Sequence, residues 1–587
     1  FEAGGESNII AKIKRKIQEQ YLAINAEKTK PKEEILTDYL NTINLGKGNL
    51  GVETASKYYF GKSAKNLTLS ECAVLAGITK NPTYLNPVDY PEANDARRKL
   101  ILKKMYQLNY ISAKEYQQAS EDNVYAKIKS HTAKGNKNSV YSYFTDALIT
   151  QIVADLQEQK GYTQSQAYQL VYRGGLKIYS TQNTKLQKIA DSVINNPDNY
   201  PVATKFSLEY KLQVTHADSS SSTYTEINVA SYFRKKKKDP TYKTIYNSKK
   251  EMKAAVKAFR KSVMKKGDKK KAESIHYSME PQLSYSLIDQ KTGQVKVLVG
   301  GRGQKQDDLA LNRATSVKRQ PGSTFKIVTT LAYMNQHKND YNNFSYYCQG
   351  RALFHNFKIN CFDGHAHGSE DFEHAFANSC NSAFSTMGDK LNLKKYIKTV
   401  NGLLFNEIIP FDNFNTSDSN YCKKSRFVLN ENSTQAEVAQ TSIGQGETLV
   451  TPAHMAMLAA AIANKGVLMK PYMIDKVENS NGTIVSQAEQ TECKKLMTKT
   501  QAKQLQEYMS AVCDYGTARI FSGSSYEVYG KTGTAELDKN NNVNSWFVGY
   551  AKKGKKQLAI AVVYENIKDG TISAKECAKE IFDDYFK

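Results

Sequence analysis

Apolar positions recur every three to four residues through the first 119 residues, the spacing of helices that bury one face. Ile9, Ile10, Ile13 and Ile17 make one such set. Ile35, Leu36, Tyr39 and Leu40 make another after Pro31, a residue suited to a helix start. Thr68 with Glu71 three residues later has the form of a capping box and opens a helix through Ala73, Val74, Leu75 and Ala76. Asn81-Pro82 and Asn86-Pro87 break the chain, and two further helices are predicted near 91–107 and 112–119. The pattern then mixes. A helix is predicted over 141–156, a strand through Leu176, Ile178 and Ser180 after Gly174-Gly175, and a helix near 186–193. From about residue 280 the period falls to two. Leu283, Tyr285 and Leu287, then Val295, Val297 and Val299, flank the turn Lys291-Thr292-Gly293 as a hairpin. Helical spacing fills much of 323–400 and 452–464, and strand-like runs return at 528–531, 545–550 and 558–564. Strands at both ends with helices between predict an antiparallel sheet assembled from distant segments.

The chain has 587 residues, enough for several domains. No apolar run approaches the ~20 residues of a membrane span. The richest stretch, 453–463, is too short and contains His454. Because the chain begins at Phe1, it reads as a fragment or processed chain with any anchor upstream. Net charge is +24, and between 234 and 271 seventeen Lys and Arg face three Asp and Glu. That stretch reads as a solvated, partly helical insertion or as an electrostatic foot on an anionic surface. No aromatic platform or base-reading motif accompanies the lysines, so nucleic acid is not expected. None of the eight cysteines forms a CxxC pair, against a zinc ribbon or thioredoxin-like site. Cys348 and Cys361 suit either a disulfide or two buried thiols.

Three short motifs carry chemistry. In Ser323-Thr324-Phe325-Lys326, after the turn Gln320-Pro321-Gly322, serine and lysine share one face of a helix start. A serine hydroxyl needs a neighbouring base to become a nucleophile, and a neutral lysine serves once burial or a nearby cation lowers its pKa. In Ser379-Cys380-Asn381 a hydroxyl could relay a proton and an amide could hold a substrate amide. Lys531-Thr532-Gly533-Thr534 follows an alternating run and reads as an edge strand facing a cleft. Its lysine and hydroxyls suit a carboxylate, Gly533 lets a substrate backbone approach, and the second lysine helps keep Lys326 neutral. Trp546 lies on a strand expected next to it. Each motif alone is weak; the order SxxK, SxN, KTG is specific. Two lures are set aside. Gly61-Lys62-Ser63 lacks the first glycine and the strand of a P-loop. Cys361, His365, His367 and His374 have zinc-like spacing but read as a loop, so no metal is assigned.

The three motifs, with Asn312-Arg313-Ala314-Thr315, Ser442-Ile443-Gly444-Gln445-Gly446 and Gly516-Thr517-Ala518 around them, resemble the transpeptidase domain of a penicillin-binding protein over about 280–587. Cys380 stands where the family has Asp. Arg15-Lys16-Ile17-Gln18-Glu19, Lys32-Glu33-Glu34-Ile35-Leu36, Tyr59-Phe60-Gly61-Lys62 and Leu67-Thr68-Leu69 resemble the peptidoglycan glycosyltransferase domain. The whole chain is thus similar to a class A, bifunctional penicillin-binding protein. The resemblance implies a multidomain fold: an α-helical, lysozyme-like glycosyltransferase remnant (1–119), an α+β linker (120–200), the basic insertion (201–279) and an α/β transpeptidase domain whose antiparallel sheet is flanked by helices (280–587). It implies that Ser323 attacks the penultimate D-Ala of a stem peptide, Lys326 takes its proton, Ser379 passes a proton to the departing D-Ala and Asn381 holds a substrate amide. Lys531, Thr532 and Thr534 would hold the terminal carboxylate, and the N–H groups of Ser323 and Thr534 would form the oxyanion hole. β-Lactams would acylate Ser323, and no cofactor is needed. Arg15 and Lys16 would face the pyrophosphate of a lipid-linked disaccharide, and Glu19 would support that site, with a divalent metal in that half of the parent protein. The motif carrying the general-base glutamate has no counterpart here, so this chain is expected not to polymerise glycan. The resemblance also implies work outside the cytoplasmic membrane, tethered by an N-terminal helix absent from this chain, with an anionic polymer or membrane surface as a further partner. The alternatives are a D,D-carboxypeptidase or β-lactamase, which pass the acyl group to water, and a non-catalytic penicillin sensor or cell-wall scaffold.

Overall fold

The computed structural model describes residues 20–587 except 22, 26, 48, 50, 83, 134–141, 174, 175, 201, 219, 304, 306–310, 339, 355, 356, 410–421, 479–483 and 538–541. The isoleucine face at 9–17, Gly174-Gly175 and Arg15, Lys16 and Glu19 lie outside the described residues. The chain divides into two compact units, one built from 1–141 with 152–177 and 477–485, the other from 142–151, 178–476 and 486–587.

The first unit is mainly helical where described, with strand residues at 477–478 and 484–485. Helices span Lys32–Thr42, Leu69–Ile78, Pro91–Gln107 and Ala113–Glu121, close to the predicted bounds, and a further one spans Val52–Phe60. The capping box is present: Thr68 accepts from the Glu71 N–H, and Glu71 accepts from the Thr68 N–H. Leu45, Ala55, Tyr59, Val74, Leu75 and Ile78 form an apolar cluster. Buried Arg98 ties the helices together by donating to Ser70 Oγ at 2.8 Å and to the Ala119 carbonyl at 2.7 Å, with Asp95 neutralising it. Lys62, of the P-loop lure, pairs with Glu71 at 2.7 Å, and Gly61 ends a helix in the left-handed conformation.

The second unit centres on a five-stranded antiparallel sheet in the spatial order 527–536, 542–553, 556–568, 282–288, 295–299. The hairpin is present, with Tyr285 opposite Val299 and Leu287 opposite Val297. Every residue of Gln282–Ile288 is buried, so both faces of the sheet are covered. The helices Pro452–Ala463, Thr184–Asn195 and Ala574–Phe586 pack on it. Apolar Pro452–Ala463 is therefore a core helix, and His454 inside it is satisfied by Ser425 Oγ and the Leu403 carbonyl. Among the described residues no helix is long and apolar enough to cross a membrane.

The lysine-rich stretch is ordered. Strands Lys205–Thr215, Ser221–Thr225, Ile245–Tyr246 and Lys269–Glu280 form a sheet with helices Glu226–Lys237 and Lys249–Val263. Leu208, Tyr210, Leu212, Val229, Phe233, Met252, Val256 and Phe259 give it an apolar core. Met252, Val256 and Phe259 share one face of their helix, which leaves its lysines in solvent.

Candidate active site

The serine turn is set by what packs against it. Gly322–Phe325 is one turn of 3₁₀ helix, continued by the α-helix Lys326–Gln336. Ser323 is half-buried at the start, while Thr324, Phe325 and Lys326 point inward. The turn lies directly on the edge strand Glu527–Glu536. Gly322 has φ +52°, and a Cβ there would meet the Thr534 carbonyl oxygen at 2.3 Å. A Cβ on Gly533 would meet the Pro321 carbonyl oxygen at 2.7 Å and the Thr324 nitrogen at 3.0 Å. The close approach at Gly533 is therefore made by the protein's own serine turn, which the sequence expectation of a substrate backbone did not foresee. The neighbouring strand holds the other side, where Trp546, opposite Gly533, donates from Nε1 to the Gln320 carbonyl at 2.8 Å.

Lys326 is fully buried. Its Nζ donates to the Ser379 carbonyl at 2.6 Å, to Asn381 Oδ1 at 2.8 Å and to Ser379 Oγ at 3.2 Å. Three acceptors match the three donors of an ammonium. Burial opposes that charge and pushes the lysine down to about 7, within reach of a general base at neutral pH. Ser379 and Asn381 reach Nζ because the chain turns sharply there. The helix Phe372–Ala377 stops, Ser379 takes φ +56°, and Cys380 caps the next helix, Asn381–Lys390. A left-handed non-glycine residue costs about 1–3 kcal/mol, which the packing around the turn must offset.

The edge strand alternates. Thr532 and Thr534 face the cleft, while Lys531 faces inward and is 0% exposed. Its Nζ donates to the Thr532 carbonyl at 3.3 Å and lies 5.6 Å from the centre of the Phe376 ring. Burial, then the charge of Lys326, pushes Lys531 well below the ordinary lysine range. Its expected place in contact with a substrate carboxylate thus differs from its buried position under the cleft floor, a consequence of the two-residue period of the strand. Thr532 shares a 2.6 Å hydrogen bond with Thr517 Oγ1.

Ser323, Ser379, Asn381, Thr532, Gly533 and Thr534 line one cleft of about 1070 Å³. Gln445 and Lys575 line it too. Gln445 donates to the Thr534 carbonyl at 3.4 Å, and Lys575 to the Thr517 carbonyl at 3.0 Å. No motif singled out Lys575, which comes from a helix far along the chain. Of the four zinc-spaced residues, His374 pairs with Asp371 at 2.8 Å. Cys348 and Cys361 are unbonded, with their sulfurs 3.7 Å apart.

A family model described as the penicillin binding protein transpeptidase domain matches residues 283–584. One described as transglycosylase matches 6–106. Penicillin-binding protein 1A of Aquifex aeolicus is 28% identical over 553 residues, covering 92% of this chain and 68% of that protein. Penicillin-binding protein 1A of Clostridium tetani is 27% identical over 550 residues, covering 92% of this chain and 58% of that protein. The crystal structure of penicillin-binding protein 1A from Haemophilus influenzae is similar in fold, with a TM-score of 0.55 and 17% identity over 95% of this chain and 86% of that one. With the transpeptidase model over half its length and the transglycosylase model ahead of it, the chain belongs to the class A penicillin-binding proteins.

Proposed function

We propose that the chain is a serine D,D-transpeptidase that cross-links peptidoglycan stem peptides through an acyl-enzyme on Ser323. The observation that carries this reading is the meeting of Ser323, the Lys326–Ser379–Asn381 hydrogen-bond cluster and the Thr532–Thr534 wall in one cleft. The Ser323 hydroxyl attacks the carbonyl carbon of the penultimate D-Ala, and neutral Lys326 takes its proton. The N–H groups of Ser323 and Thr534 stabilise the oxyanion. The C–N bond breaks, and a proton passed from Lys326 through Ser379 leaves with the terminal D-Ala. Thr532 and Thr534 hold its carboxylate, with Lys531 buried behind them on the same strand. An amine from a second stem peptide then forms the new C–N bond and releases Ser323. β-Lactams acylate Ser323 as analogues of the D-Ala-D-Ala end.

The wider setting follows the family. In the glycosyltransferase half, Arg15, Lys16 and Glu19 would hold the pyrophosphate of a lipid-linked disaccharide, and a divalent metal, where bound, would neutralise its charge. The protein acts on the outer face of the cytoplasmic membrane, anchored by an N-terminal helix. Its basic subdomain lies against an anionic polymer or membrane surface.

The test is a peptide ending in D-Ala-D-Ala offered with an amine acceptor such as glycine. Amide product growing with acceptor concentration supports a transpeptidase. Release of D-Ala to water alone, whatever the acceptor, would make the protein a carboxypeptidase.

A further inference from the structure

Cys380 departs from the family's middle motif, and the fold gives it company. Cys348 ends the strand Ser345–Cys348, Cys361 follows the strand Phe357–Asn360, His367 lies in the loop beyond, and Cys380 caps the helix Asn381–Lys390. The four ligand atoms lie within 4.8 Å of one another, and all three cysteines are buried. The Cys361 sulfur is 3.7 Å from that of Cys348 and 3.8 Å from that of Cys380. Tetrahedral zinc with Zn–S bonds of about 2.3 Å sets thiolates about 3.8 Å apart, whereas a disulfide needs about 2.05 Å. The same geometry with a Zn–N bond of about 2.0–2.1 Å sets sulfur and nitrogen about 3.5 Å apart. Here the Cys348 sulfur is 3.3 Å from His367 Nδ1.

The surroundings are those of bound thiolates. The Gly350 N–H donates to the Cys348 sulfur at 3.3 Å, and the Ala383 N–H to the Cys380 sulfur at 3.4 Å. The buried Ser382 hydroxyl lies 3.1, 3.4 and 3.3 Å from the sulfurs of Cys348, Cys361 and Cys380. Such outer donors spread thiolate charge and orient ligands. A disulfide would use two of the three sulfurs and leave the third with the imidazole; one metal ion uses all four groups.

We propose that Cys348, Cys361, Cys380 and His367 bind one structural zinc ion. Soft thiolates with an imidazole in tetrahedral array favour zinc among the common divalent ions. The set differs from the one that sequence spacing offered. His365 and His374 drop out, while Cys348 and Cys380 enter from a strand end and a helix cap. Cys380 lies between Ser379 and Asn381, so the ion pins the left-handed turn that holds both at Lys326. This makes Cys380 a positioning residue. That consequence rests on the transpeptidase reading, whereas the metal content does not.

The experiment begins with metal analysis of the chain purified under reducing conditions. We expect about one zinc per chain, lost in Cys361→Ser and kept in Cys493→Ala, whose thiol lies elsewhere. Because Cys361→Ser risks misfolding, the same chain is also stripped and loaded with Co²⁺. A tetrahedral thiolate spectrum is expected, altered in His367→Gln. Folded wild-type protein that retains no zinc after incubation with Zn²⁺, or a mapped Cys348–Cys361 disulfide in the active protein, overturns the site. Acylation by a fluorescent penicillin should slow about 10- to 100-fold on stripping and recover on reloading. An unchanged rate in folded, stripped protein overturns the positioning role while leaving the metal site standing.

Discussion

At the residue scale the proposed mechanism turns on the proton of Lys326. Its folded pKa of about 7 lies below that of an exposed lysine, and only the neutral form accepts the Ser323 proton. Acylation should therefore be slow at acid pH, rise about tenfold per pH unit below 7 and level off above it. A profile flat from about pH 5 to 9 would contradict the role of Lys326 as base. Lys326→Met, which keeps the length of the buried side chain but offers no amine, should lower the acylation rate about 10²- to 10⁴-fold, read beside its Tm. The placing of Ser323 and Lys326 at one helix start was legible from their three-residue spacing, because that spacing needs no tertiary knowledge. The orientation of Lys531 was not, since which side of an edge strand is buried depends on what packs beneath it. Nor was the partnership of Cys380, whose neighbours come from three other segments.

At the element scale the edge strand and the serine turn act as one piece. Gly533→Ala should press the new methyl into the Pro321 and Thr324 backbone. We expect a loss of about 1–3 kcal/mol in stability, read as a lower Tm, together with slower acylation, because the turn that must move carries Ser323. Unchanged Tm and rate would show that the turn does not bear on that strand. In the helical unit, Thr68→Ala removes an observed cap and should cost about 1 kcal/mol by denaturant melting. The capping box, the helices at 91–107 and 113–121 and the central hairpin were readable because their signals are local. The order of the sheet was not, because strand 282–288 pairs with 556–568 almost three hundred residues away.

At the scale of the whole molecule, charge is concentrated on a folded subdomain rather than on a loose tail. Helices Glu226–Lys237 and Lys249–Val263 hold their lysines outward over an apolar core, which gives the subdomain a cationic surface. The chain should sediment with phosphatidylglycerol vesicles at about 50 mM salt and be released at about 500 mM, where the Debye length is a few Å. Reversing the exposed Lys235, Lys238, Lys253 and Lys257 to Glu should abolish this binding and leave penicillin acylation unchanged. Binding that survives both changes would remove the electrostatic account.

A serine acyl-enzyme built on Ser323 is read most directly from intact mass after incubation with benzylpenicillin. A long-lived adduct of one benzylpenicillin per chain that maps to Ser323 and is absent in Ser323→Ala is expected. No adduct, or one that persists in Ser323→Ala, would contradict a Ser323 acyl-enzyme, and a rapidly hydrolysed one would make the protein a hydrolase.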